Sequence, residues 1–170
     1  MTGHLILAGL LAVAAVTAGC GGTASVSRAE GGHRSLSADS GHRPASVVIS
    51  MHSVGRFGDV LVSNGGYALY MFKPDKKSKV TCIQLCAGIW PPLQVPAGSS
   101  VVAGPGVRQS LLSSDPNPDG GRVATYGGWP LYTYDGDALP GQATGQGVNL
   151  DGGNWFLMQP SGQPLMARLS

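Results

Sequence analysis

Three cysteines and two copies of a tyrosine–aspartate motif hold most of the chemistry this sequence offers. Cys20 closes an apolar run, Leu5 to Ala18, and directly follows Thr17-Ala18-Gly19. A run of about 14 apolar residues ended by small side chains reads as a secretory signal cut before a cysteine. It falls short of the roughly 20 apolar residues that span a bilayer core. At such a cysteine the thiol is alkylated by a diacylglyceryl group, the chain is cut between Gly19 and Cys20, and the new amine is acylated. Two or three acyl chains, at ~0.8 kcal/mol per buried methylene, make a lasting anchor. The expectation is a signal peptide over 1–19, lipid attachment at Cys20, and residence on the extracytoplasmic face of the cell membrane. Ordinary export, with Cys20 removed or left as a free thiol, is the alternative.

Cys82 and Cys86 then remain as an even pair in an oxidising compartment, which predicts a disulfide. Closing so small a loop contributes about 2 kcal/mol by the chain-entropy account. The competing use of Cys-x-x-x-Cys is copper handling or redox exchange, with Met71 or Met158 as added soft ligands for Cu(I). That use normally needs a later histidine, and none follows His52. Neither a metal nor a cofactor is expected.

The tyrosines and aspartates come as a repeat. Leu69-Tyr70-Met71-Phe72-Lys73-Pro74-Asp75 aligns with Leu131-Tyr132-Thr133-Tyr134-Asp135-Gly136-Asp137, about 62 residues later. On strands, Tyr70 and Phe72 share one face, as do Tyr132 and Tyr134. Large aromatics carry much of the burial in a small core, with each hydroxyl finding a partner at the core's edge. Asp75 and Asp137 stand where each strand ends and are placed to cap the next turn through backbone N–H groups. The alternative is that the paired aromatics line a ligand groove.

Other chemistry is argued against by what is missing. No histidine and no glutamate occur from Ser53 onward, so a Ser/His/Asp or Cys/His site cannot be built there. No catalytic residue is assigned, and the expectation is a protein that is not an enzyme. Asp135-Gly136-Asp137 begins like a calcium loop, but Leu139 and Gln146 stand where further ligands belong. Gly104-Pro105-Gly106 lacks the Lys-Ser/Thr of a phosphate loop. Lys73, Lys76, Lys77 and Lys79 read as a solvated basic turn, with attraction to anionic headgroups as the second reading. A net charge of +2 with no basic stripe sets nucleic acid aside. The expected partners are the membrane, through the anchor, and an envelope protein or small ligand.

The elements that must position these residues are strands. With 27 Gly, 12 Pro and only 12% charged residues, the chain lacks the helix formers of a bundle. Residues 20–46, rich in Ser, Gly, Arg and His, form a lipid-anchored flexible linker in which His33 and His42 are solvated. Its ends lie roughly 25–30 Å apart as a random coil. Strands are predicted at Val47 to Met51, Asp59 to Ser63, Tyr67 to Phe72, Arg122 to Tyr126, Trp129 to Tyr134, Asn154 to Met158 and Pro164 to Leu169. Asn64-Gly65, Gly127-Gly128 and Asp151-Gly152 supply hairpin turns, Asn64-Gly65 with positive φ at both residues. Residues 96–121 read as a long excursion between repeats. The fold class is all-β: one small domain of hairpins over 47–170, built from repeats at about 57–95 and 120–160.

Taken in order, the two Tyr-x-aromatic-x-x-Asp copies, Cys82 to Cys86, Trp90-Pro91-Pro92-Leu93, Gly128-Trp129-Pro130-Leu131-Tyr132 and Gly145-Gln146-Gly147 form a specific set. The set resembles the bacterial predicted lipoproteins with a conserved Tyr-x-(Phe/Trp/Tyr)-x-x-Asp motif, also called the secreted repeat family. The resemblance implies export, the repeat and the fold, and it brings no biochemical activity.

Overall fold

Val47-Val48-Ile49, β-branched throughout, opens the first strand of a computed structural model that describes residues 46–75 and 78–166. The signal, Cys20, the linker with His33 and His42, Lys76 and Lys77 lie outside the described residues. β1 (Val47–Ser53) pairs antiparallel with β2 (Asp59–Val62). β3 (Tyr70–Phe72) follows and is buried along its whole length, as a strand apolar on both faces should be. The turn between them differs from expectation. Only Gly66 takes a positive φ, +79°, and its N–H closes a turn onto Ser63 O at 2.9 Å. The extra glycine lets a three-residue connection form in place of a two-residue one.

The other two hairpins use the predicted geometry. β6 (Arg122–Tyr126) turns through Gly127 and Gly128, both at positive φ, into β7 (Trp129–Pro130). β8 (Asn149–Leu150) turns through Asp151 and Gly152, again both positive, into β9 (Gly153–Leu157).

Residues 96–121 are more than an excursion. β4 (Val101–Ala103) adds in parallel to β1, and β5 (Leu112–Pro116) pairs with β6 over five positions. The Ser-Ser-Asp-Pro of β5 has little strand propensity; its cross-strand pairing with Val123, Ala124 and Thr125 decides its state. The expected last strand is reduced, among the described residues, to a bridge between Pro164 and Met158. A five-residue helix, α1 (Leu85–Ile89), starts after Gln84, inside the Cys82–Cys86 loop of the first repeat. Within the described residues no helix is long and apolar enough to cross a membrane.

Three small sheets, β2-β1-β4, β3-β9-β8 and β5-β6-β7, meet at the centre. Tyr70 and Tyr132 exchange backbone hydrogen bonds at 2.9 and 3.0 Å. On the outer sides of this pair, β3 runs against β9, and the Tyr132 segment runs against residues 89–93 through Leu93–Leu131, Thr133–Pro91 and Asp135–Ile89 bonds. An approximate two-fold axis therefore passes between Tyr70 and Tyr132. Alternation along β3 sends Tyr70 and Phe72 into one core, with Trp90, Tyr132 and Trp155, and Leu69 and Met71 into another, with Ile49, Tyr126 and Leu131. The all-β fold is as the sequence predicts.

Candidate functional site

The repeat motifs lie in the core, and their hydrogen bonds are exchanged between repeats. Tyr70 donates its hydroxyl to Asp137 Oδ2 at 2.6 Å, and Tyr132 donates to Asp75 Oδ2 at 2.6 Å. Each aspartate's other oxygen accepts from a threonine backbone N–H and hydroxyl: Asp75 from Thr81 at 2.7 and 2.6 Å, Asp137 from Thr144 at 2.7 Å for both. The expected turn caps are present. The phenols, however, are not at an edge; Tyr70, Tyr132 and Asp75 are each 0% exposed.

Burial sets the protonation of these groups. Loss of solvent pushes the Tyr70 and Tyr132 phenols far above the ordinary tyrosine value, and the facing carboxylate adds to the rise in both. Loss of solvent also raises the Asp75 carboxyl, opposed by the bonds it accepts from Thr81 and Tyr132. The phenols act as permanent donors across the accessible pH range.

Beside these bonds runs a ladder of rings. Phe72 stacks on Trp155 at 4.2 Å, Trp155 on Trp90 at 3.9 Å, and Trp90 on Tyr134 at 4.2 Å. Tyr70 meets Trp90 edge-on, and Tyr132 meets Trp155 the same way. Phe72 and Tyr134 are matching residues of the two motifs, so the ladder follows the same two-fold relation. Gly145 completes the packing, since a Cβ there would sit 2.7 Å from the Trp90 ring. Its neighbour Gln146 accepts from Leu157 N–H at 2.7 Å and donates to Leu165 O at 2.6 Å. The Trp and Gly-Gln-Gly fragments were visible in the sequence; the Tyr–Asp bonds join residues 57 and 67 positions apart, and neither they nor the ladder, which is equally long-range, leave a local signal.

Cys82 and Cys86 form a disulfide with Cα atoms 5.2 Å apart. Cys82 is buried against the aromatic core, whereas Met71 and Met158, the soft ligands considered with it, pack in the other core. The structure does not bring the four together. Asp135 is exposed beside the buried Asp137, and His52 is exposed on β1. Lys73 and Lys79 are exposed, as a solvated turn requires.

Of the motif residues, Tyr134 and Asp137 reach a surface groove of about 340 Å³. Tyr67, Pro91, Thr133 and Asp135 line it with them. Thr133 donates its hydroxyl to Pro91 O at 3.3 Å, and Gly141 N–H bonds Gly66 O at 3.2 Å, holding the loop after Asp135 against the hairpin that carries Tyr67. The motif aromatics thus divide between the core and the groove's surface. Tyr70, Phe72 and Tyr132 are core, and Tyr134 belongs to both.

A family model described as a secreted repeat of unknown function matches residues 54–94 and 114–159, together just over half of the chain. Its second match begins inside β5, some residues before the expected repeat start, and its first begins just after β1. No curated protein matches the chain. No solved structure matches it. The two matched segments contain both Tyr–Asp motifs, and the chain belongs to the family of secreted repeats of unknown function.

Proposed function

We propose that this chain is a lipoprotein of the bacterial cell envelope, anchored through Cys20 on the extracytoplasmic face of the cell membrane, whose β domain binds or builds and does not catalyse. The observation that carries the non-catalytic reading is the exchange of Tyr70–Asp137 and Tyr132–Asp75 bonds in the core. The motif side chains best suited to acid–base work already have each other as partners and have little access to a substrate. The family's description as secreted supports export. The apolar run ending at Thr17-Ala18-Gly19-Cys20 supports the anchor. Its partners are then the membrane, through the acyl chains, and an envelope protein or a small ligand, with no role for nucleic acid.

The anchor is tested by Cys20→Ser in cells fed a clickable palmitate analogue. The thioether cannot form on serine, so acyl labelling is expected to vanish and the protein to leave the membrane fraction. Labelling and retention equal to the parent would overturn the lipoprotein reading.

A further inference from the structure

We propose that the groove between Tyr67 and Tyr134 binds an organic cation of the alkylammonium class, with Asp135 as its counter-charge. This deepens, and rests on, the reading of the domain as a non-catalytic binding module. The first support is a comparison of the repeats. Thr133-Tyr134-Asp135 occupies the places that Met71-Phe72-Lys73 occupies in the first repeat. Met71 and Phe72 are buried, whereas Thr133 and Tyr134 are half-buried and Asp135 is exposed, so the second repeat opens to solvent, with two hydroxyls and a carboxylate, where the first is closed. All three polar replacements line one groove.

The second support is charge. Asp135 and Asp137 line the groove, and no basic side chain lines it among the described residues. The position matching Asp135 is Lys73, so the side-chain charge at this place is reversed between the repeats. A negative wall repels anions and attracts cations. One face of Tyr134 is taken by Trp90, and any tyrosine ring face that opens on the groove would add attraction for a cation beyond simple charge. A neutral sugar would hydrogen-bond Asp135 through its hydroxyls but gain nothing from the net charge.

Size and rigidity agree. The volume of about 340 Å³ lies at the small end of the ligand-site range and suits an ammonium head with a short stem. Tyr134 is held by its stack on Trp90, and Asp137 is held by Tyr70 and Thr144. The ordering left to oppose binding is that of Asp135 and Tyr67.

The test is an amide-resolved NMR titration of the purified full-length chain with tetramethylammonium, choline and, as a neutral control, glucose. Both cations are expected to shift the amides of Tyr67, Thr133, Tyr134 and Asp135, and glucose is not. Asp135→Asn should weaken binding about three- to fivefold, the effect of one exposed charge. Asp135→Lys, which installs the first repeat's residue at an exposed place, should abolish binding while the rest of the spectrum is unchanged. No shift at these residues with either cation at millimolar concentration overturns the site and leaves the non-catalytic reading standing. Equal binding of glucose, insensitive to Asp135→Asn, overturns the cation assignment in favour of a neutral sugar. Conversion of a bound cation into a new species overturns the non-catalytic reading and supports the site.

Discussion

Each buried phenol–carboxylate pair works as a unit, and removing one member exposes the cost of the other. Tyr70→Phe leaves Asp137 Oδ2 without its donor in the core. The loss expected is about 1.5–3 kcal/mol, the range for hydrogen bonds to charged groups, above the ~1 kcal/mol of an ordinary bond. Tyr70→Ala and Tyr132→Ala should each cost about 3–5 kcal/mol. Urea denaturation of a double-mutant cycle identifies the partners: Tyr70→Phe should couple with Asp137→Asn and not with Asp75→Asn. Coupling to Asp75 would mean that the bonds stay within a repeat. Stability against pH gives a second check. A phenol whose folded pKa is raised contributes stability that is complete below its unfolded value of 10.0 and falls as pH rises beyond it. Two of the five tyrosines should therefore ionise only as the protein unfolds, visible as a delayed phenolate absorbance. Asp75 has the same sign, in the acid range, because its folded pKa is raised as well. Its folded pKa is raised above 3.8, so its contribution grows as pH falls through the folded pKa toward 3.8. The difference in stability between the parent and Asp75→Asn, which imitates the neutral acid, should shift in the parent's favour on acidification. A difference independent of pH between neutrality and pH ~4 would contradict the raised Asp75 pKa.

At the scale of elements, the sequence was readable wherever local chemistry and tertiary packing agree. Val47 to Ile49, Val60 to Val62 and Val123 to Thr125 carry strand propensity and are strands; Gly127-Gly128 and Asp151-Gly152 carry turn chemistry and are turns. Legibility fails where a partner decides the outcome. β5 is a strand because β6 pairs with it, and β4 because β1 does. The cysteine loop is a third case: the even count predicts the bond, but not that it holds Thr81 toward Asp75 and Trp90 in the ladder. The second repeat has Gly145 near the matching place, with no disulfide, and there contact with Trp90 limits the side chain. Replacing both Cys82 and Cys86 by alanine should cost about 2 kcal/mol, the loop-closure term for so short a loop. Gly145→Ala, which removes no bond, should also lower the melting temperature because its methyl meets the Trp90 ring. If calorimetry shows Gly145→Ala to be neutral, the ladder is looser at Trp90 than its 3.9 Å stack on Trp155 indicates.

For the whole molecule, the repeat was plain in the sequence and its consequence was not. Two similar copies can fold as neighbours or as one interlocked body, and motif spacing is the same in both cases. The structure is interlocked. The first repeat's Trp90 segment pairs with the second repeat's tyrosine strand, and β9 of the second repeat pairs with β3 of the first. Both Tyr–Asp bonds, the central Tyr70–Tyr132 backbone pair and three contacts of the ring ladder cross from one repeat to the other. Neither repeat keeps its own aromatic core without the other. Unfolding should then be a single cooperative event. Loss of the Trp90–Trp155 stack in near-ultraviolet circular dichroism and loss of strand signal in the far ultraviolet should coincide along a urea titration. Leu131→Ala, placed in the second repeat, should shift both signals together by an amount matching about 2–5 kcal/mol. Amide exchange gives the same test residue by residue, with Leu61 in the first repeat and Ala124 in the second opening at one free energy in the parent and in the variant. If Leu131→Ala releases Ala124 while Leu61 keeps its protection, the repeats unfold separately and the exchanged bonds do not hold them together.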